Sequence, residues 1–286
     1  MTQALVDGCV LSANYALIAL GITLIFSIMN LLNFAHGQML MIGGFMVYYV
    51  YGVFHLPFAL GLLAAALVLG LIGAGFERFL FRRVLRVATR EENSMLLAVG
   101  TALLLENVAL FLFGEKQRGV PETVSGVVQF AGAFLPYQRL EVFLVALVLI
   151  LGLLYFVQYT RPGRAMRALA QDRDAARLMG VNVDRTAMMG FAIGAGLAGL
   201  AGGLLVTVQG VNAGIGTDIS IKAFIMIMIG GAGVVGGAIL GAVVLGFAES
   251  IGYAYLPGSL TYLLIFLALI LFLVIRPRGI MGHPWG

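Results

Sequence analysis

From Gly8 to Phe76 the chain runs for 69 residues without an Asp, Glu, Lys or Arg. At about 20 apolar residues per crossing, this run predicts three membrane-spanning helices, over 9–29, 35–54 and 57–77. Further apolar segments at 94–113, 141–159, 187–210 and 260–275 each fit one crossing. The uncharged stretch 223–248 is too long for one ordinary span and too short for two, and GGAGVVGG interrupts it at 230–237. It reads as two half-helices meeting at the glycines or as a re-entrant hairpin, a form tolerated at lipid depth only where protein or a water-filled cavity covers it. The pattern therefore predicts an all-α polytopic membrane protein of about eight segments, one of them broken, in a single domain over 1–286.

Composition agrees: 61% of residues are hydrophobic and 10% charged, with a mean hydropathy of +1.04, too little polar surface for a soluble globule. The opening MTQALVDG lacks the basic region of a cleaved signal peptide, so the first span is expected to stay. The single cysteine, Cys9, excludes an intrachain disulfide. A net charge of +4 could suggest nucleic acid, but thirteen of the 17 basic residues fall in three blocks between spans: Arg78 to Arg90, Arg161 to Arg185, and Arg276 with Arg278. Such blocks mark cytoplasmic loops. They place the N-terminus outside, the C-terminus in the cytoplasm, and 114–140 as an outside loop flanked by Lys116, Arg118 and Arg139. Lys222 flanks an outside loop as well. One long tilted helix over 223–248 would put RPRG outside, against the same rule.

The 39 glycines add packing information. Gly190 with Gly194, Gly233 with Gly237 and Gly237 with Gly241 are small-x-x-x-small pairs that let helix backbones approach closely. On the first span Gly8, Ser12, Tyr15, Ala19, Thr23, Ser27 and Asn30 share a small, polar face, which should point at protein or a pathway.

Enzymatic motifs are missing. No phosphate-binding glycine loop with its lysine is present, so ATP is not bound in that way. His36, His55 and His283 lie in separate segments, against a zinc site. The informative polar stretch is RPGRAMRALAQDRDAARLMGVNVDR at 161–185, inside a loop at 160–186. Pro162 and Gly163 end the preceding span, 164–179 is helix-forming, and Gly180 stops the helix. Met166, Leu169, Ala176 and Met179 make a narrow apolar stripe. It suits a groove on a partner protein better than lipid headgroups, because Asp172 and Asp174 sit among the arginines.

Four stretches in order carry a resemblance over the whole length: ANYALIALGITLIFSIMNLLNFAHGQMLMIGG at 13–44, the 161–185 stretch, KAFIMIMIGGAGVVGGAILGAVVLGFAES at 222–250 and RPRGIMG at 276–282. The chain resembles the LivH-type permeases, membrane subunits of ATP-binding-cassette importers of the branched-chain amino-acid family. That resemblance implies alternating-access uptake of branched-chain amino acids or a related small polar solute through a bacterial-type inner membrane. It implies a second permease (a LivM-type relative or an identical copy), two cytoplasmic ATPase subunits that hold ATP and magnesium, and a periplasmic solute-binding protein. No cofactor and no catalysis belong to this chain itself. The 164–180 helix resembles the coupling helix that docks on the ATPase, with Arg167, Ala170, Asp172, Ala175, Leu178, Met179 and Gly180 as its candidate contacts.

Polar residues inside spans supply candidates for the pathway or gate. In NFAHGQ, Asn33, His36 and Gln38 offer donors and acceptors either to unpaired backbone at an irregular helix start or to the pathway, the structural role being favoured. Glu106, beside Asn107, lies midway along its span, where an unpaired charge costs about 3 kcal/mol. Members of the family often have an uncharged amide near this place, so Glu106 marks a departure in solute preference or an interhelical bond. Glu249 reads as packing or polar bridging, and Asp218 and Lys222 as a mouth that receives the binding protein. A rival reading uses Glu106 and Glu249 as proton or cation sites of an ATP-independent transporter or channel.

Overall fold

The computed structural model describes residues 1–29, 32–87, 92–130 and 132–282. Asn30 of the first-span face, Arg90 of the first basic block and His283 lie outside the described residues.

The chain forms α1 (Thr2–Met29) and α2 (His36–Val47), the latter continued by a π-helical turn at Tyr48–Val53. Next come α3 (Phe58–Gly75), a second π-helical turn at Phe76–Phe81, α4 (Arg82–Val87) and α5 (Glu92–Phe113). A two-stranded antiparallel hairpin, β1 (Val127–Phe130) and β2 (Ala133–Pro136), pairs Val127 with Pro136 inside the 114–140 loop, a small exception to the all-α expectation. Then follow α6 (Tyr137–Tyr159), α7 (Arg161–Gln171), α8 (Arg173–Leu178), α9 (Val183–Gln209), α10 (Ile215–Gly230), α11 (Val235–Tyr255) and α12 (Gly258–Ile275).

Seven helices among the described residues are long and apolar enough to cross a membrane: Thr2–Met29, Phe58–Val84, Asn93–Phe113, Tyr137–Tyr159, Val183–Gln209, Val235–Tyr255 and Gly258–Ile275. The expected span at 35–54 differs. It is a 12-residue helix extended by a π turn, entered through irregular backbone at 32–35. α1 and α9 form the centre, and 89% of the most apolar window of α1 is buried. That fits a helix whose small and polar face needs protein rather than lipid beside it, with Ser12, Asn14 and Thr23 all buried. Small residues set the spacing. A Cβ on Gly202 of α9 would sit 1.9 Å from the Leu40 carbonyl oxygen of α2, and one on Gly43 would sit 2.4 Å from the Gly199 oxygen. Gly190 and Gly194 face Ile28 and Ile25 of α1 in the same way.

The glycine-rich element is wider than the uncharged window that announced it. α10 and α11 together run from 215 to 255, so there is room for a 16-residue and a 21-residue helix. The window 223–248 was bounded by Lys222 and Glu249, and these two charges neutralise each other inside the bundle instead of marking its edge. Between the helices Gly231 and Gly233 take φ of 110° and 81°, a left-handed backbone that favours glycine. Gly233 therefore belongs to the turn, and its pairing with Gly237 on one helix face does not occur. The α10–α11 contact is instead made by Gly230 against Gly237 and Met226 against Gly241.

Residues 164–179 also depart from expectation. Asp172 is extended (φ −155°, ψ 118°), and its side chain accepts from the backbone N–H groups of Asp174 and Ala175 at 2.8 and 2.9 Å. It ends one helix and caps the next, because an Asp carboxylate competes with the helical ladder for nearby N–H groups. The apolar stripe is turned accordingly. Met166, Leu169 and Ala176 are buried within the chain's own core, while Met179 is exposed.

Candidate functional site

Two polar clusters lie among the apolar helices. The first joins α2, α5 and α10. Gln38 Nε2 donates to Glu106 Oε2 at 3.1 Å and to Thr217 Oγ1 at 3.0 Å, and the Thr217 hydroxyl donates to the same carboxylate oxygen at 2.8 Å. Gln38 is buried, Glu106 half-buried and Thr217 exposed, so the cluster opens onto the outside of the single chain. Phe45 of α2 stacks on Phe113 of α5, holding the two helices in register above it. Asn107, next to Glu106, is exposed and donates only to the Leu103 carbonyl of its own helix. It does not join the cluster.

The irregular start of α2 is stitched by α10. The Ser220 hydroxyl donates to the Phe34 carbonyl at 3.0 Å and accepts from Gly37 N at 3.1 Å, while Asn33 Oδ1 accepts from Ala35 N. These bonds satisfy backbone groups that a helix N-terminus would otherwise leave unpaired away from water. His36 is wholly buried with its ring edge against Gly21 of α1. The three polar residues of NFAHGQ thus separate: Asn33 serves the backbone, His36 packs on α1, and Gln38 alone reaches the cluster.

The second cluster joins α1, α10 and α11. Lys222 Nζ lies 2.9 Å from Glu249 Oε1, and the Tyr15 hydroxyl donates to Glu249 Oε2 at 2.5 Å while accepting from Lys222 Nζ at 2.8 Å. Tyr262 of α12 places its ring 5.1 Å from the same ammonium. Lys222 thus lies inside α10 and not beside a loop, where the sequence reading had put it. Asp218 is exposed, but Lys222 is drawn inward to a carboxylate that is 1% exposed. Lys222 and Glu249 also line a cavity of about 710 Å³ with Asp7, Asn14 and Arg139. The polar face of α1 accounts for the rest of this seam. Gly8 meets Phe247, Ser12 Oγ donates to the Val243 carbonyl, and Tyr15 meets Glu249, all on α11.

Two further ion pairs were not singled out from sequence. Arg82 bonds the buried Glu77 and reaches the Asp184 carbonyl at 2.9 Å, tying α4 to the start of α9. Arg139 pairs with Asp7 at 2.5 Å, tying α6 to α1. Thr217 was missed as well, and Tyr15 was named only as part of a face, with no partner assigned. Tyr15 had a signal, its place on the polar face of α1; Thr217 had none beyond being a hydroxyl close before an apolar run.

In the 161–180 segment the Thr160 side chain caps α7 by accepting from Gly163 N. Arg167, Ala170, Asp172, Ala175, Leu178, Met179 and Gly180 are all exposed, and the leucine and methionine stand 88% and 85% free of other atoms.

Among the described residues no group of three or more His, Cys, Asp or Glu side chains could hold a metal ion. A family model described as branched-chain amino acid transport system, permease component, matches residues 4–274. The high-affinity branched-chain amino acid transport system permease protein LivH of Salmonella typhimurium is 32% identical over 99% of this chain and 96% of its own length. LivH of Escherichia coli K12 and BraD of Pseudomonas aeruginosa are each 33% identical over the same shares. With seven apolar helices of crossing length and this likeness from end to end, the chain is a multi-pass inner-membrane protein that belongs to the family of permease components of branched-chain amino acid ATP-binding-cassette transport systems.

Proposed function

We propose that the chain forms one half of the membrane path of an importer for branched-chain amino acids or a related small polar solute. The observation that carries this reading is the Gln38–Glu106–Thr217 cluster, a carboxylate and its two partners held by three helices on an open side of the chain. A carboxylate facing lipid along a span costs about 3 kcal/mol. A second permease, either a LivM-type relative or an identical copy, covers that face, and the water-filled seam between the two is the path. The cluster's carboxylate suits a solute ammonium, and the Gln38 amide holds that carboxylate in place.

Orientation follows from the basic blocks: the N-terminus outside, the 160–186 loop and the C-terminus in the cytoplasm. The α7–α8 segment is then the element on which a cytoplasmic ATPase docks, with Leu178 and Met179 as its apolar contacts and Asp172 as its corner. Two such ATPases hold ATP and magnesium; a periplasmic binding protein delivers the solute from outside. ATP-driven movement of the α7–α8 segments rocks the paired permeases between outward and inward openings.

The test is a gentle-detergent pull-down of the tagged chain from its native membrane, followed by reconstitution of the recovered complex in liposomes with labelled leucine. Recovery of ATPase chains and ATP-dependent uptake are expected. Uptake by the isolated chain without ATP would overturn the reading.

A further inference from the structure

α12 is the least enclosed of the long helices: Thr261 is its single buried residue, and 6% of its most apolar window is covered. Beside it an open groove of about 600 Å³ runs between α11 and α12, walled by Val244, Ala248, Ile265, Ala268, Leu269 and Phe272. One end of this groove is formed by Ile280 in the segment that follows α12. That segment is fixed by backbone bonds to the end of α10, Ile280 N to the Ile229 carbonyl at 2.8 Å and Met281 N to the Gly230 carbonyl at 2.9 Å. Arg276 and Arg278 belong to the same turn. Both are exposed, and neither meets an acidic side chain among the described residues.

An apolar slot whose end is made by Ile280, in a turn that also carries the exposed Arg276 and Arg278, is complementary to one ligand chemistry, a hydrocarbon chain carrying an anionic phosphate head. We propose that the α11–α12 groove binds an anionic glycerophospholipid, with an acyl chain along Ala248, Ala268 and Leu269 and the headgroup phosphate on Arg276 and Arg278. The bound lipid fills the side of α11 that α12 leaves uncovered. It also bridges α12 to the segment that fastens the end of α10.

The experiment is native mass spectrometry of the detergent-purified transporter titrated separately with dioleoylphosphatidylglycerol and dioleoylphosphatidylcholine. The wild type should retain the glycerol lipid in preference to the choline lipid. Arg276→Gln with Arg278→Gln should weaken glycerol-lipid retention by roughly thirtyfold, the effect of two basic side chains beside an anionic headgroup. Ala268→Trp, which fills the groove and leaves both arginines, should abolish retention of either lipid. Equal retention in wild type and the double-glutamine variant would overturn the headgroup assignment, and retention in Ala268→Trp would overturn the groove. Lipid held by the isolated chain but absent from the assembled transporter would assign the groove to a protein partner and overturn the proposal as a whole.

Discussion

Lys222 and Glu249 lie 2.9 Å apart between α10 and α11, with the Tyr15 hydroxyl of α1 bonded to both. Three helices thus meet at one neutralised charge pair. The same short helix that carries Lys222 carries Thr217 of the pathway cluster and Ser220 of the α2 stitch. α10 is therefore held at one level by the ion pair and presents its polar groups to α2 and α5 at another.

Removing one partner of this pair should be costly. Lys222→Met leaves the Glu249 carboxylate buried without its cation, and a loss of about 3–5 kcal/mol is expected. Lys222→Met combined with Glu249→Leu should recover most of that loss, because no uncompensated charge remains. Thermal unfolding in detergent checks both, and a double variant as unstable as the single one would contradict the account.

The open cluster should govern transport rather than folding. Glu106→Gln keeps an acceptor for Gln38 and Thr217, so the protein should fold and assemble while KM or the rate of uptake changes. Thr217→Val removes one of the two donors to the carboxylate. Because the two residues share bonds, the effects of the two substitutions should be non-additive by about 0.5–3 kcal/mol. Uptake in proteoliposomes, measured for both single variants and the double, reads this coupling; unaltered uptake in all three would make the cluster purely structural.

Helix spacing gives a contrast between two glycines. Gly202→Ala drives a Cβ toward the Leu40 carbonyl, a backbone atom that cannot rotate away. Overpacking of this kind costs about 1–3 kcal/mol or more. Gly75→Ala meets nothing within 4 Å and should be neutral or stabilise by up to about 1 kcal/mol through helix propensity. Comparison of the two melting temperatures separates close packing from mere helix content.

Ala175 is exposed on α8, so Ala175→Arg should leave membrane insertion and folding intact while preventing recovery of the ATPase in a pull-down. Full ATPase recovery with this variant would remove the docking role given to the 161–180 segment.

The apolar runs, the class of the protein and the cytoplasmic or loop ends of most long spans were legible in the sequence, because burial in lipid or protein demands long uncharged stretches and breaks them with Pro, Gly or charge. The extent of the α10–α11 element was not. Charge was read as an edge, and nothing local tells that Lys222 and Glu249, 27 residues apart, cancel each other. The single helix expected over 164–179 failed for a related reason. Its composition favours a helix throughout, and the outcome turned on whether the Asp172 side chain would bond the backbone ahead of it.

A polytopic helical permease, its basic loops and the polar residues that had to find partners could thus be read from the residues alone. Which partners they found depended on how the helices pack. That packing sent Asn33 to the backbone, Gln38 to Glu106 and Thr217, and Lys222 to Glu249 and Tyr15. Hydropathy fixes how much chain leaves water, but a polar group's role depends on what lies within hydrogen-bonding distance, and here that is set by helices whose contacts are far apart along the chain.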